Sequence, residues 1–159
     1  MSRRVVICDV DGPLLPSGML LVDPDAKEKC LLSPICVAVL LDLLAEADAL
    51  LVMNTTRNVE PADLRAALRR AGIPDDVFHP DWMTEYPRFP REEAVRRWLS
   101  GNRVAAWVAL DDEVFTVDGR LIPVDYDGGL TPAHRDAALK SFGLKPSLIL
   151  PKARTLVLA

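Results

Sequence analysis

The sequence predicts an α/β domain built on a mainly parallel sheet. Short apolar runs rich in Val, Ile, Ala and Leu ("RRVVIC", "ALLVM", "RVAAWVAL") read as strands buried on both faces. Amphipathic segments with helix start and stop signals lie between them, and this alternation is the pattern of parallel-sheet domains. The chain has 159 residues, half of them apolar and about a quarter charged, which fits one compact domain over 1–159 with a sizeable core.

Each element follows from its own signals. "RRVVICD" is the first buried strand. "GPLLPSGMLLVDPDAKEKCLL" is rich in Gly, Pro and Asp and predicts turns with a small hairpin. In "SPICVAVLLDLLAEA" Ser33 caps a helix and Pro34 takes its favoured first position. "DALLVMNTT" is the second buried strand. "RNVEPADLRAALRRAG" is a helix stopped by Gly72, with arginines in the last turn to complement its dipole. "VFHP" is a short strand. "PREEAVRRWLSG" is a helix with Glu92–Arg96 and Glu93–Arg97 at i,i+4. "RVAAWVALDDE" is the third buried strand, and "VDGRLIPVDYDGG" reads as turn, strand, turn. "LTPAHRDAALKSFG" is the last helix, with Thr131 as cap, Pro132 at the first position and Gly143 as stop. The tail over 143–159 reads as an edge strand or a contact arm.

The net charge is −4 and the sequence pI about 5.2, so the chain lacks the footprint of a protein that binds nucleic acid through bulk charge. Cys8, Cys30 and Cys36 have neither metal-type spacing nor an even-numbered disulfide framework. They read as small buried hydrophobes in a reducing, cytoplasmic compartment. Asp9 and Asp11 interrupt the first apolar run, so no signal-peptide core forms. The longest apolar runs contain acids and are expected to fall short of a membrane span.

In open α/β sheets, ligands bind beyond the carboxyl ends of the strands. Asp9 and Asp11 follow the first strand. Asn54, Thr55, Thr56, Arg57 and Asn58 follow the second. Asp111, Asp112 and Glu113 end the third. Carboxylates gathered there repel unless a cation joins them, and oxygen-only ligands favour Mg²⁺. With Mg²⁺ bound, Asp9 stays ionised and can attack phosphorus. Asp11, one strand period further on, points to the same side and can pass protons. Thr55 or Thr56 can donate to the phosphoryl oxygens.

"VVICDVDG", "ALLVMNTT" and "VAAWVALDD" resemble, in order, the first, second and fourth motifs of the haloacid dehalogenase (HAD) superfamily of aspartate-nucleophile phosphohydrolases. The likeness runs from residue 4 to about 142. "REEAVRRWL", "VALDDE" and "GGLTPAHRDAAL" are similar to small HAD-like domains of bacteria, some fused to RNA-repair proteins. The resemblance implies a three-layer α/β/α, Rossmann-like fold and a Mg²⁺-dependent phosphatase that passes through an aspartyl-phosphate. It implies Asp9 as nucleophile, Asp11 as acid/base with a main-chain metal contact, and Asp9, Asp111 and Asp112 at the metal. Thr55 would bind phosphate, with Thr56 in reserve, and Gly12 would turn the chain beneath the substrate. "PLLPSG" would be a flap at the mouth, with Arg57, Arg88 and Trp82 as a rim that grips the substrate.

The chain departs from the superfamily in one place. The third motif is usually a lysine, yet no lysine lies between Lys29 and Lys140. "YPRFPREEA" stands there, with Arg91 at a helix start as the substitute and Arg88 as the second choice. A guanidinium keeps the charge but is larger and always ionised. Neither intermotif gap can hold a cap domain, so the site should be open and suited to a phosphorylated small molecule, protein or nucleic-acid end. Two other functions share these residues: a non-catalytic module that binds phosphate or a partner, and a metal-dependent nuclease. His79 and His134 are lone histidines with structural roles, and Asp125 and Asp127 read as turn formers.

Overall fold

The computed structural model describes residues 2–147. Five strands form one fully parallel sheet in the order β3-β2-β1-β4-β5: β1 Arg4–Cys8, β2 Ala49–Met53, β3 Phe78–Met83, β4 Ala106–Asp111 and β5 Leu121–Pro123. β1 lies in the middle. The chain first builds outward to β3 and then returns to the other side of β1, so the strand order reverses there. Such a reversal opens a crevice at the carboxyl ends of the central strands.

Among the described residues, six α-helices accompany the sheet: α1 Met19–Val22, α2 Ala26–Lys29, α3 Pro34–Ala47, α4 Pro61–Arg70, α5 Arg91–Gly101 and α6 Pro132–Ser141. Alternate strand residues feed two cores, as the period of two requires. Val6, Cys8, Leu51, Met53, Val108 and Leu110 pack with buried residues of α3, α4 and α6. Val5, Ile7, Val52 and Ala109 pack with Val95 and Trp98 of α5. The result is the expected three-layer α/β/α architecture.

Three local readings need correction. The expected hairpin before α3 is instead the pair of four-residue helices α1 and α2. The helix expected from Arg57 onward is split: a 3₁₀ turn over Thr56–Val59 precedes α4. Pro61 causes the split, because a residue before proline is disfavoured in the α region, and Glu60 has φ −127° and ψ 69°. Finally, by length and composition Ala26–Ala47 does suffice to cross a membrane, with half of its apolar window buried. The backbone breaks inside that stretch, at left-handed Cys30 and extended Ser33. Seven residues of α3 are buried in the core, which accounts for its hydrophobicity without a bilayer.

α3 and α6 are tied by an ion cluster around a buried arginine. The Arg135 guanidinium, 2% exposed, donates to Asp42 at 2.5 Å and to Asp136 at 2.8 Å, and also binds Ser147 Oγ at 2.9 Å. Removing one partner of a buried pair strands the other. Arg135→Ala should therefore cost about 3–5 kcal/mol, read as a lower denaturant midpoint. Leu144 packs on the core, residues 144–147 form no strand, and residues 148–159 of the expected tail lie outside the described residues.

Candidate active site

The parallel register brings the three strand-end motifs to one place. Cys8 is level with Met53 on one side and with Leu110 on the other. Asp9 N–H donates to Leu110 O at 3.1 Å, and Asn54 N–H to Cys8 O at 2.9 Å. Asp9, Asn54 and Asp111 thus stand side by side at the edge of the crevice.

Arg91, the first residue of α5, enters this cluster. Its Nη1 donates to Asp9 Oδ2 at 3.1 Å, to Asp111 Oδ2 at 2.6 Å and to Asn54 O at 3.3 Å. Its Nη2 donates to Tyr86 Oη at 3.1 Å, and the guanidinium lies 4.4 Å from the Tyr86 ring centroid. Nε faces Glu113 Oε2 at 3.2 Å, off the hydrogen-bond direction. A cation at a helix N-terminus opposes the helix dipole. Here the two buried carboxylates offset that cost. Arg91, the expected substitute for the missing lysine, thus sits between the two strand-end carboxylates.

Charge and burial shape the titration. Asp9 is pushed up to about 8, first by burial and then by the Asp111 charge, against the pull of Arg91, the Val10 N–H and the Thr55 hydroxyl. Asp111 is pushed up to about 6, again chiefly by burial, with Arg91 and the Glu113 N–H opposing. Burial alone would lower Arg91, but the charges of Asp9 and Asp111 override it and raise its pKa. Two carboxylates crowd one guanidinium.

Gly12 has φ +104°, and a Cβ there would lie 2.8 Å from the Asp112 carboxylate. The glycine of the first motif thus makes room for an acid of the fourth. Gly12→Ala should cost about 1–2 kcal/mol in backbone strain alone, seen as a lower melting temperature, and should displace Asp112. Gly129, at φ +71°, faces Gly12 O and Pro16 in the same way. Residues Gly12–Pro16 are buried, Leu130 N–H binds Pro13 O, and Ser17 N–H binds Tyr126 O. The segment read as a flap is therefore a packed turn clamped by the loop before α6. Asp127 holds Ser17 and Asp125 receives the Asp127 N–H, so both are turn residues as expected.

Thr55 is fully buried at the end of β2, where its hydroxyl reaches Asp9 and also accepts from Arg57 N–H at 3.3 Å. Thr56 is exposed and points away from that cluster into a neighbouring groove. The 3₁₀ turn swings Arg57 back over Asp11. Arg57 Nε and Nη2 donate to the two Asp11 oxygens, each at 2.9 Å, and Nη2 also reaches Lys27 O at 2.9 Å. Arg57 is thus a partner of the acid/base candidate, a tighter role than the expected rim.

Other expected residues stay apart. Arg88 is 78% exposed and its ion pair is with Glu85 at 3.8 Å, not with Asp9 or Asp111. Trp82 packs edge-on against Phe78 with the Arg65 guanidinium over its ring, which makes it a packing residue. His134 Nδ1 accepts the Thr131 N–H and caps α6, and His79 Nδ1 accepts the Asp81 N–H. Tyr86 was not singled out by sequence, although "EYPR" places an aromatic five residues before Arg91. Asn54 is locked by the Thr84 hydroxyl at 2.6 Å.

The carboxylates suit a hard divalent cation. Ligand oxygens of Asp9, Asp111 and Asp112 lie within 4.8 Å of one another. Ionised, these three carry −3 against +1 on Arg91, and the surplus of −2 in an all-oxygen set matches Mg²⁺. The Asp11 side chain stands outside this set, on Arg57, leaving its main chain for the expected metal contact.

A parallel α/β/α sheet with an Asp-x-Asp-Gly turn, a strand-end threonine and a strand-end acid pair, and no cap among the described residues, defines a HAD-like domain. More narrowly, residues 5–135 match the family described as HAD domain in Swiss Army Knife RNA repair proteins, and the chain belongs to that family. Searches of curated proteins and of solved structures found no match.

Proposed function

We propose that the protein is a Mg²⁺-dependent phosphohydrolase that acts on a phosphomonoester through an aspartyl-phosphate. The observation that carries this is the Asp9–Arg91–Asp111 cluster with the buried Thr55 hydroxyl beside it. Asp9 attacks phosphorus, and the bond from phosphorus to the leaving oxygen breaks. Asp11 gives that oxygen its proton. Asp11 then takes a proton from water as the water oxygen attacks the phosphoryl group, which releases phosphate and restores Asp9. Arg91 and Thr55 hold the phosphoryl oxygens as charge spreads over them. Bound at Asp9, Asp111 and Asp112, Mg²⁺ would supply the remaining positive charge and keep Asp9 ionised.

The open crevice and the family's RNA-repair description favour a phosphate at the end of a nucleic acid. The test is hydrolysis of p-nitrophenyl phosphate with Mg²⁺, lost on adding EDTA, together with a beryllofluoride adduct on Asp9. Cleavage of internal phosphodiesters without that adduct would instead identify a nuclease. Mg²⁺ binding without any turnover would identify a binding module.

A further inference from the structure

We infer that Arg57 reads a second phosphate on the substrate, and that the groove beside Asp11 receives it. This deepens the phosphatase reading and rests on it. The groove, about 660 Å³, runs from Asp11 and Arg57 past Lys27 and Cys30 to Arg70. Asp11 must meet the leaving oxygen, so the rest of the leaving group enters the groove that Asp11 lines.

Arg57 is built to be shared. Nε and Nη2 hold Asp11, but Nη1 has no hydrogen-bond partner among the described residues, and the side chain is 22% exposed. A phosphate offers oxygens that match the guanidinium fork. A second phosphate arriving in the groove can take Nη1 first and then compete with Asp11 for the other donors. That exchange would loosen the two-pronged hold on Asp11, so that it can take a proton from solvent, turn to the leaving oxygen and deliver it there. A substrate without the second phosphate leaves Asp11 clamped for more of the time and is turned over more slowly, least so for p-nitrophenyl phosphate, whose leaving group departs without a proton. Arg57 is therefore a specificity residue.

The charge of the groove bounds what it accepts. Lys27, Lys29, Arg57 and Arg70 line it, but so do Asp11, Glu28, Glu60 and Asp63. Four cations against four acids attract no long polyanion. Recognition is local, at Arg57, and takes one phosphate close to the scissile one. That chemistry occurs both in a small nucleoside bisphosphate and at a phosphorylated nucleic-acid end.

The test uses Asp9→Asn protein with Mg²⁺, so that substrates bind without turning over. A nucleoside carrying one phosphate is compared with the same nucleoside carrying phosphates on two ribose hydroxyls, at fixed ionic strength. The second phosphate should tighten binding about tenfold. Adding Arg57→Ala should bring the two within about twofold, and Arg57→Lys, which keeps the charge, should recover part of the preference. Equal affinities for the two ligands in Asp9→Asn protein, or a preference that survives Arg57→Ala, would overturn the inference. A short oligonucleotide with a phosphorylated end should bind about as tightly as the bisphosphate. A further gain beyond about tenfold would overturn the local reading in favour of a track along the groove. If p-nitrophenyl phosphate is turned over in an Asp9-dependent way but the preference is missing, only the inference fails. If no phosphomonoester is bound or hydrolysed, the phosphatase reading fails and takes the inference with it.

Discussion

Asp9→Asn should abolish turnover of p-nitrophenyl phosphate, by about four orders of magnitude or more, while making the metal-free protein more stable at alkaline pH. The first effect follows from removing the nucleophile, where losses of this size are usual. The second follows from linkage. Asp9 has a folded pKa of about 8 and Asp111 of about 6, both above the ordinary 3.8 of an unfolded chain. A raised carboxyl means that the folded state holds the proton more tightly. The stability this contributes is fully present below the unfolded value and is lost as pH climbs through the folded values. Metal-free wild type should therefore lose melting temperature between pH ~5 and pH ~8.5 relative to Asp9→Asn, whose amide does not titrate. His134, lowered by burial, gains stability as pH rises toward 6.5 and so opposes the trend. The difference between wild type and variant cancels that contribution. Mg²⁺ should raise the melting temperature of wild type more at the alkaline end, where the carboxylates are ionised. Parallel melting curves for the two proteins across this range would show that Asp9 is not strained by its burial. Retained turnover in the variant would show that another group attacks phosphorus.

The strand-end motifs were legible because each apolar run stops on its functional residue. A parallel sheet then does the assembly: with Cys8, Met53 and Leu110 in one register row, the residue after each falls into the same crevice. Arg91 was legible too, since a helix start after Pro90 fixes where its first residue points. The losses have physical causes. α1 and α2 are single turns, too short to show a 3.6-residue period, so their Gly, Pro and Asp content reads as a hairpin. "PLLP" reads as an exposed flap by composition, but its burial depends on the Leu130 and Tyr126 contacts from more than a hundred residues away. The Arg57–Asp11 pair depends on the break before Pro61, where a 3₁₀ turn redirects a side chain that a continuous helix would have sent elsewhere. Tyr86 reaches the site only because its hydroxyl and ring happen to wrap one guanidinium. A lone tyrosine in a proline-rich loop carries no sequence signal for that.

Arg91→Ala should lower kcat/KM by about 10²–10³-fold, the usual cost of removing one preorganised donor from a developing negative charge. The same change should destabilise the metal-free protein at pH ~8 by about 3–5 kcal/mol, because it leaves Asp9 and Asp111 buried together without their cation. Arg91→Lys separates the two roles. An ammonium restores the charge between the carboxylates, so stability should return toward wild type. It cannot span Asp9, Asp111 and the Tyr86 hydroxyl at once, since the guanidinium divides these contacts between Nη1 and Nη2. Activity should therefore recover only in part, and Tyr86→Phe should impair the arginine enzyme more than the lysine variant. Full activity in Arg91→Lys would mean that charge alone is needed and that the Tyr86 contact serves folding. Activity within threefold of wild type in Arg91→Ala would mean that Mg²⁺ and Thr55 carry the phosphoryl charge without it. In that case Arg91 would act only as the internal counter-ion that lets two carboxylates share a buried strand end before the metal arrives.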